Sequence, residues 1–199
     1  MYSGSSIGLM ERETPSQIAL AEGLANSTTQ KHINNTWLKY LPESPAMALI
    51  LGKANDEIAD WLAKKGWLVT TVEQEAQQIR KKRPVCHPSI NWRHDNLVEL
   101  AKVEGSYSTI LVNELLTELN NFDQVALLER LSSLVATGTY IVFTFCSNLR
   151  NDPSSYPVRE SLLNDQALAY SLQIVDRNTS LEDKGLQLLE WRTLVFKKL

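Results

Sequence analysis

Cysteine is scarce. The 199-residue chain has two, Cys86 and Cys146, far apart in sequence. A structural zinc site takes about four ligands, and two cysteines with three scattered histidines do not supply them at any workable spacing, so no metal site is expected. Isolated thiols suit a reducing compartment, where they pack as small apolar side chains. Glycine and proline are few, eight and seven, which excludes collagenous and low-complexity chains. No apolar run reaches the roughly 18 residues of a membrane-spanning helix. The opening residues lack the basic stretch and apolar core of a secretory leader. The cytoplasm is therefore the expected location and no membrane partner is expected. The Asn-x-Ser/Thr triplets at Asn26, Asn34 and Asn178 read as chance. Positive charge is not in excess either. A net charge of -3 argues against a broad nucleic-acid-binding surface, and the Arg80-Lys81-Lys82-Arg83 run reads as dipole compensation at a helix end.

What remains is a chain with 43% hydrophobic and 22% charged residues, long enough for one well-filled core. Residues 1–45 read as an N-terminal helical cap, with a helix over 29–40 carrying Ile33 and Trp37 at helical spacing. From residue 46 to 199 a single domain is expected. The apolar run over 46–51 fits a strand buried on both faces. A helix over 55–65 follows, with Ile58, Trp61 and Leu62 on one side and Gly66 as its stop. Strand 67–72, polar helix 73–82 and short strand 89–92 come next. Then come strand 108–112, a helical stretch over 115–119, an amphipathic helix over 123–134 and strand 139–145. Helix 158–170 precedes two strands, 172–175 and 191–196, joined by a polar connection over 176–185. Strands alternating with helices predict an α/β doubly wound, mostly parallel sheet with helices on both faces and an antiparallel C-terminal strand.

In such sheets ligands bind beyond the carboxyl ends of the strands, where strand order reverses. The first strand and its turn read Ala48-Leu49-Ile50-Leu51-Gly52-Lys53-Ala54-Asn55-Asp56-Glu57. This stretch resembles the first motif of the class I S-adenosylmethionine-dependent methyltransferases, which reads apolar-Leu-Asp-Leu-Gly-x-Gly-x-Gly-Glu. Of the three glycines only Gly52 is kept; Ala54 and Asp56 replace the others, and Ile50 stands where an acidic residue is usual. Later landmarks are similar in order and spacing: Glu73 after the second strand, His94-Asp95-Asn96 after the third, and Val112-Asn113-Glu114 after the fourth. The resemblance spans roughly residues 46–196 and implies a Rossmann-like methyltransferase sheet with S-adenosylmethionine as cofactor.

It also implies roles. Gly52, Lys53 and Ala54 would form the cofactor loop, with Lys53 able to pair with the cofactor's carboxylate, Asn113 would lie beside the cofactor, Glu73 would bind the ribose hydroxyls, and Asp95 and Asn96 would meet the adenine. Glu114, Glu118 and His94 are the candidate general bases. Plain structural readings stand beside these roles: Asp56 and Glu57 complement the dipole of the following helix, and Asp95 and Asn96 suit a turn. The N-terminal segment, with His32, Trp37 and Tyr40, would cover a small or medium-sized acceptor. Cys146, Tyr156 and Arg159 fall near the same region. The partners expected are a small-molecule acceptor and a second copy of the chain or another protein. A methyltransferase-like module without catalysis is the competing expectation.

Overall fold

The computed structural model describes residues 35–53, 55–82, 87–148, 155–183, 185 and 187–199. The expected cofactor contact at Ala54, the cap residue His32 and the first half of the helix expected over 29–40 lie outside them. Seven strands form one sheet: β1 Met47–Gly52, β2 Leu68–Glu73, β3 Ile90–His94, β4 Tyr107–Asn113, β5 Val135–Cys146, β6 Leu172–Asp183 and β7 Leu188–Lys198. Their spatial order is β3-β2-β1-β4-β5-β7-β6. The first five pair in parallel, and β7 enters antiparallel between β5 and β6. Among the described residues four α-helices connect them: α1 Asn55–Lys64, α2 Ala76–Lys82, α3 Asn121–Ser132 and α4 Glu160–Ala167. This is the doubly wound arrangement expected from the alternation of apolar runs.

The continuous apolar character of β1 has a direct cause. Leu49 and Leu51 turn toward α3 and α4, and Ala48 and Ile50 turn toward α1 and α2, so both faces are buried and neither can be polar. In β5, Ile141 and Phe143 share the first face and Val142 the second.

The N-terminal segment differs from the expected cap. Its described part is a 3-10 turn, Asn35–Tyr40, whose Trp37 is 2% exposed and packs edge-on against Trp61 of α1, ring centroids 6.1 Å apart. Tyr40 stacks on Tyr140 near the amino half of β5 and donates a hydrogen bond to Asp176 of β6. These aromatics fill the core beneath the sheet's α1 face instead of roofing its carboxyl edge.

Two further differences are instructive. The polar stretch expected as a connection over 176–185 is mostly strand: β6 runs unbroken to Asp183 and pairs with β7 throughout. As an edge strand it has one open side and much solvent contact, so its side chains alternate between exposed and half-buried without an apolar run. Likewise β5 begins at Val135, four residues before the expected strand, and its register against β4 shifts between Tyr107 and Thr109.

Between β3 and β4 the described chain contains no helix, only a turning loop. Arg130 of α3 substitutes for one. Its Nε donates to the Glu99 carbonyl at 3.1 Å, and its Nη2 to those of Leu100 and Val103 at 2.9 and 2.7 Å. Among the described residues no helix is long and apolar enough to cross a membrane.

Candidate functional site

Strand order reverses between β1 and β4, which places the ligand crevice of this architecture at their carboxyl ends. Gly52 closes β1 there with φ +90. A Cβ at this position would lie 1.9 Å from the Asn113 carbonyl oxygen, so both backbone angle and space demand glycine. The turn is fixed by the Lys53 N–H, which donates to the same carbonyl at 2.9 Å.

At that level the sheet carries a row of small polar residues: Gly52 registers with Asn113, Asn113 with Thr144, and Thr144 with Thr193. Asn113, Thr144 and Thr193 are all buried. The side-chain amide nitrogen of Asn113 has no hydrogen-bond partner, an arrangement that costs about 1–3 kcal/mol unless something completes it. The next residue, Glu114, takes the left-handed conformation, φ 54, with its N–H donating to the Thr144 carbonyl at 2.7 Å. Strained backbone of this kind persists where its surroundings over-determine it.

Lys53 spans the opening. Its Nζ lies 2.9 Å from a Glu118 carboxylate oxygen and 3.9 Å from one of Glu114. The lysine side chain is 56% exposed. Asp56 is exposed in the first turn of α1.

The β2 and β3 ends are built differently. Glu73, half-buried, ends β2 in register with His94. The Asp95 carboxylate accepts from the backbone N–H of Asn96 at 2.9 Å and of Lys102 at 2.6 Å. Asn96 accepts from Val98 and Glu99 through its own side chain. Both thus hold their own loop in shape. The His94 Nε2 contacts the Gln74 carbonyl at 2.9 Å. Three strand spacings, about 14 Å, separate β3 from β4. The structure therefore brings Gly52, Lys53, Asn113, Glu114 and Glu118 together and sets His94 apart with Glu73, Asp95 and Asn96.

Beside Glu118 a cavity of about 420 Å³ opens over the carboxyl end of β5, lined among others by Thr117, Phe145, Cys146, Ser147, Tyr156 and Arg192. Ser147 donates to Glu190 at 2.6 Å, and Arg192 is held by Glu190 at 2.8 Å and Glu160 at 2.7 Å. The Glu190 carboxyl sits below its ordinary value because Ser147 and Arg192 hydrogen-bond its ionised form. Burial pushes the Cys146 thiol up, which keeps it protonated. Fully buried Gln124 ties the cavity's two loops together, donating to the carbonyls of Leu116, Leu119 and Pro157.

Sequence reasoning missed Gln124, Ser147, Glu190 and Arg192. A signal existed for one of them: Gln124 sits on the apolar stripe of α3 with Leu127, Leu128 and Leu131, where a polar residue needs a purpose.

The geometry has relatives among solved structures. This is the methyltransferase fold. The N-methyltransferase NodS of Bradyrhizobium japonicum, in complex with S-adenosylhomocysteine, superposes with a TM-score of 0.65 over 93% of this chain and 99% of its own, at 14% identity. A methyltransferase of Methanosarcina mazei described as S-adenosylmethionine-dependent gives 0.62 over 80% and 95%, at 15% identity. Magnesium protoporphyrin IX methyltransferase of Synechocystis with bound S-adenosylhomocysteine gives 0.59 over 92% and 83%, also at 15%. No protein-family profile and no curated protein sequence matches the chain.

Proposed function

We propose that the chain binds S-adenosylmethionine across the β1–β4 crevice and methylates a small or medium-sized acceptor seated in the cavity over β5. The observation that carries this reading is the unpartnered amide of Asn113, buried in register with the one glycine that the turn requires. A ligand acceptor there completes an otherwise costly group. When bound, the cofactor supplies an electrophilic methyl on sulfur.

The chain's own residues have separate tasks. The Gly52 turn and the Asn113 amide hold the methionine end, with Lys53 beside them, and the Glu73 carboxylate accepts hydrogen bonds from ribose hydroxyls. Asp95 and Asn96 fix the loop along the adenine, acting through its backbone. Thr117, Phe145 and Tyr156 surround the acceptor and exclude water, and Gln124 keeps the two loops in place. Rate comes chiefly from such positioning. Where the acceptor must lose a proton, a carboxylate oxygen of Glu114 or Glu118 takes it. The cytoplasm is the proposed compartment, supported by the buried free thiol of Cys146.

A binding module without catalysis is the second reading, supported by the Lys53–Glu118 pair over the crevice and by Ala54 and Asp56 at glycine positions of the motif. Calorimetric titration separates the two. Micromolar binding of S-adenosylmethionine, weakened at least about tenfold in Glu73→Ala, supports the enzyme; silence at millimolar ligand refutes cofactor binding.

A further inference from the structure

We infer that the open face of β2 and β3 carries a second ligand site, which takes the phosphate group of a small phosphorylated metabolite between Arg93 and Lys102. It lies outside both the β1–β4 crevice and the cavity over β5, and it is independent of the cofactor reading.

The site arises because this face is uncovered. Strand β3 is the edge of the sheet, and its residues alternate. Ile90 and Trp92 join Val69 in the core beneath α1 and α2, which leaves the exposed Asn91 and Arg93 on the opposite face. There Thr70 registers with Asn91, and Val72 with Arg93. Between β3 and β4 the described chain offers only a loop to cover them. A cavity of about 430 Å³ forms between that loop and the strands, lined among others by Thr70, Asn91, Arg93, Lys102, Glu104 and Tyr107.

Its walls are held in place while its cations keep donors to spare. Arg130 grips the loop by the Leu100 and Val103 carbonyls, and the Tyr107 hydroxyl donates to the Glu104 carbonyl at 3.3 Å. The Lys102 ammonium donates to the His94 carbonyl at 3.2 Å and retains further protons for a ligand. With its amide oxygen turned toward Arg93, Asn91 accepts from Nε and Nη2, both at 3.2 Å, which orients the guanidinium and leaves Nη1. The ion pairs of the described residues engage Lys39, Lys53, Lys64, Arg177 and Arg192, and neither Arg93 nor Lys102 is among them. Thr70, only 7% exposed, adds a hydroxyl from the strand side. Two such cations, one on a strand and one on the facing loop, suit a doubly charged oxyanion. Glu104 is the one carboxylate in the lining. It repels a second phosphate and accepts from a hydroxyl, so the site favours a hydroxyl-bearing phosphomonoester over a polyphosphate.

A polar edge strand that merely faces water would hold phosphate no better than any other cationic surface. The test titrates the full chain with glycerol 3-phosphate and with orthophosphate, followed by amide shifts in NMR spectra. The variants are Arg93→Gln, Lys102→Gln, Glu104→Gln and, as a control on α1, Lys64→Gln. Glycerol 3-phosphate is expected to saturate the wild type with a Kd of about 1 mM or below, its shifts confined to β3 and residues 101–107. Arg93→Gln and Lys102→Gln each weaken it about tenfold, whereas Lys64→Gln leaves it within about twofold. Glu104→Gln tightens orthophosphate about two- to threefold by removing a like charge. No saturation by about 10 mM, or equal weakening in Lys64→Gln, overturns the inference. Binding of orthophosphate with glycerol 3-phosphate excluded overturns the ligand class and reduces the site to one for an inorganic anion.

Discussion

After β3 the chain turns on Asp95 and Asn96, and nearly every polar group there is answered from within: the two side chains accept four backbone N–H groups, and Arg130 takes three carbonyls. After β4 it turns on Asn113 and Glu114, and the balance is reversed. Each loop holds one left-handed residue, Leu100 in the first and Glu114 in the second, but after β4 one buried amide has no partner and the nearest cation lies exposed. Both loops cap parallel strands at the same edge of one sheet. The first is complete as it stands, and so its polar residues are best read as structure. The second leaves a buried donor that the fold alone does not pair, which supports reading it as the ligand side.

The sharpest way to break the contrast is at its hinge. Gly52→Ala forces a Cβ onto the Asn113 carbonyl at positive φ and is expected to cost about 3 kcal/mol or more, read by chemical denaturation. Next comes the self-satisfied loop. Asp95→Ala strands two N–H groups and should cost about 2–3 kcal/mol, with S-adenosylhomocysteine affinity at a fixed folded fraction falling less than in Glu73→Ala. An affinity collapse with unchanged stability would make Asp95 a ligand contact.

The β4 loop should respond in the opposite sense. Asn113→Leu removes an unpaired donor, so stability should hold or rise by up to about 1 kcal/mol while ligand affinity drops. Glu114→Gly relieves the left-handed backbone and should gain about 0.5–1 kcal/mol in thermal unfolding, at the expense of methyl transfer. A loss of stability in either variant would erase the distinction between the loops.

The smallest effect lies far from this edge. Burial works to raise the Asp176 carboxyl, but hydrogen bonds from Tyr40 and Lys39 outweigh it and hold it below its ordinary 3.8. The Tyr40 hydroxyl is pushed up to about 12, by burial and by the same bond. A carboxyl depressed on folding stabilises the native state above its unfolded value and loses that contribution as pH falls through the folded one. Stability should therefore decline below about pH 4, and Asp176→Asn should flatten that part of the pH profile.

Much of this architecture was legible in the chain because burial on both faces leaves no choice of residue. β1 and the carboxyl half of β5 are largely apolar for that reason, and the α1 and α3 helices show their stripes. β6 was legible only at its start, since an edge strand can alternate polar residues and look like a loop. The described N-terminal segment was misjudged because Trp37 and Tyr40 suit an acceptor roof and a core equally well; only the positions of Trp61 and Tyr140 decide. At the site, Gly52, Asn113 and Glu114 were found from their place after strands. The pairing of Lys53 with Glu118 was not, because it depends on how a 3-10 turn folds back across the sheet. Glu190 and Arg192 were hidden for a similar reason: their cavity exists only once β7 inserts beside β5.

The most direct test is a crystal structure of the chain grown with S-adenosylhomocysteine. The nucleoside is expected along the carboxyl edge, its ribose on Glu73 and its amino-acid end reaching the Asn113 amide and Lys53. Density elsewhere on the molecule, or an edge with no ligand at millimolar concentration while Lys53 stays on Glu118, would contradict it.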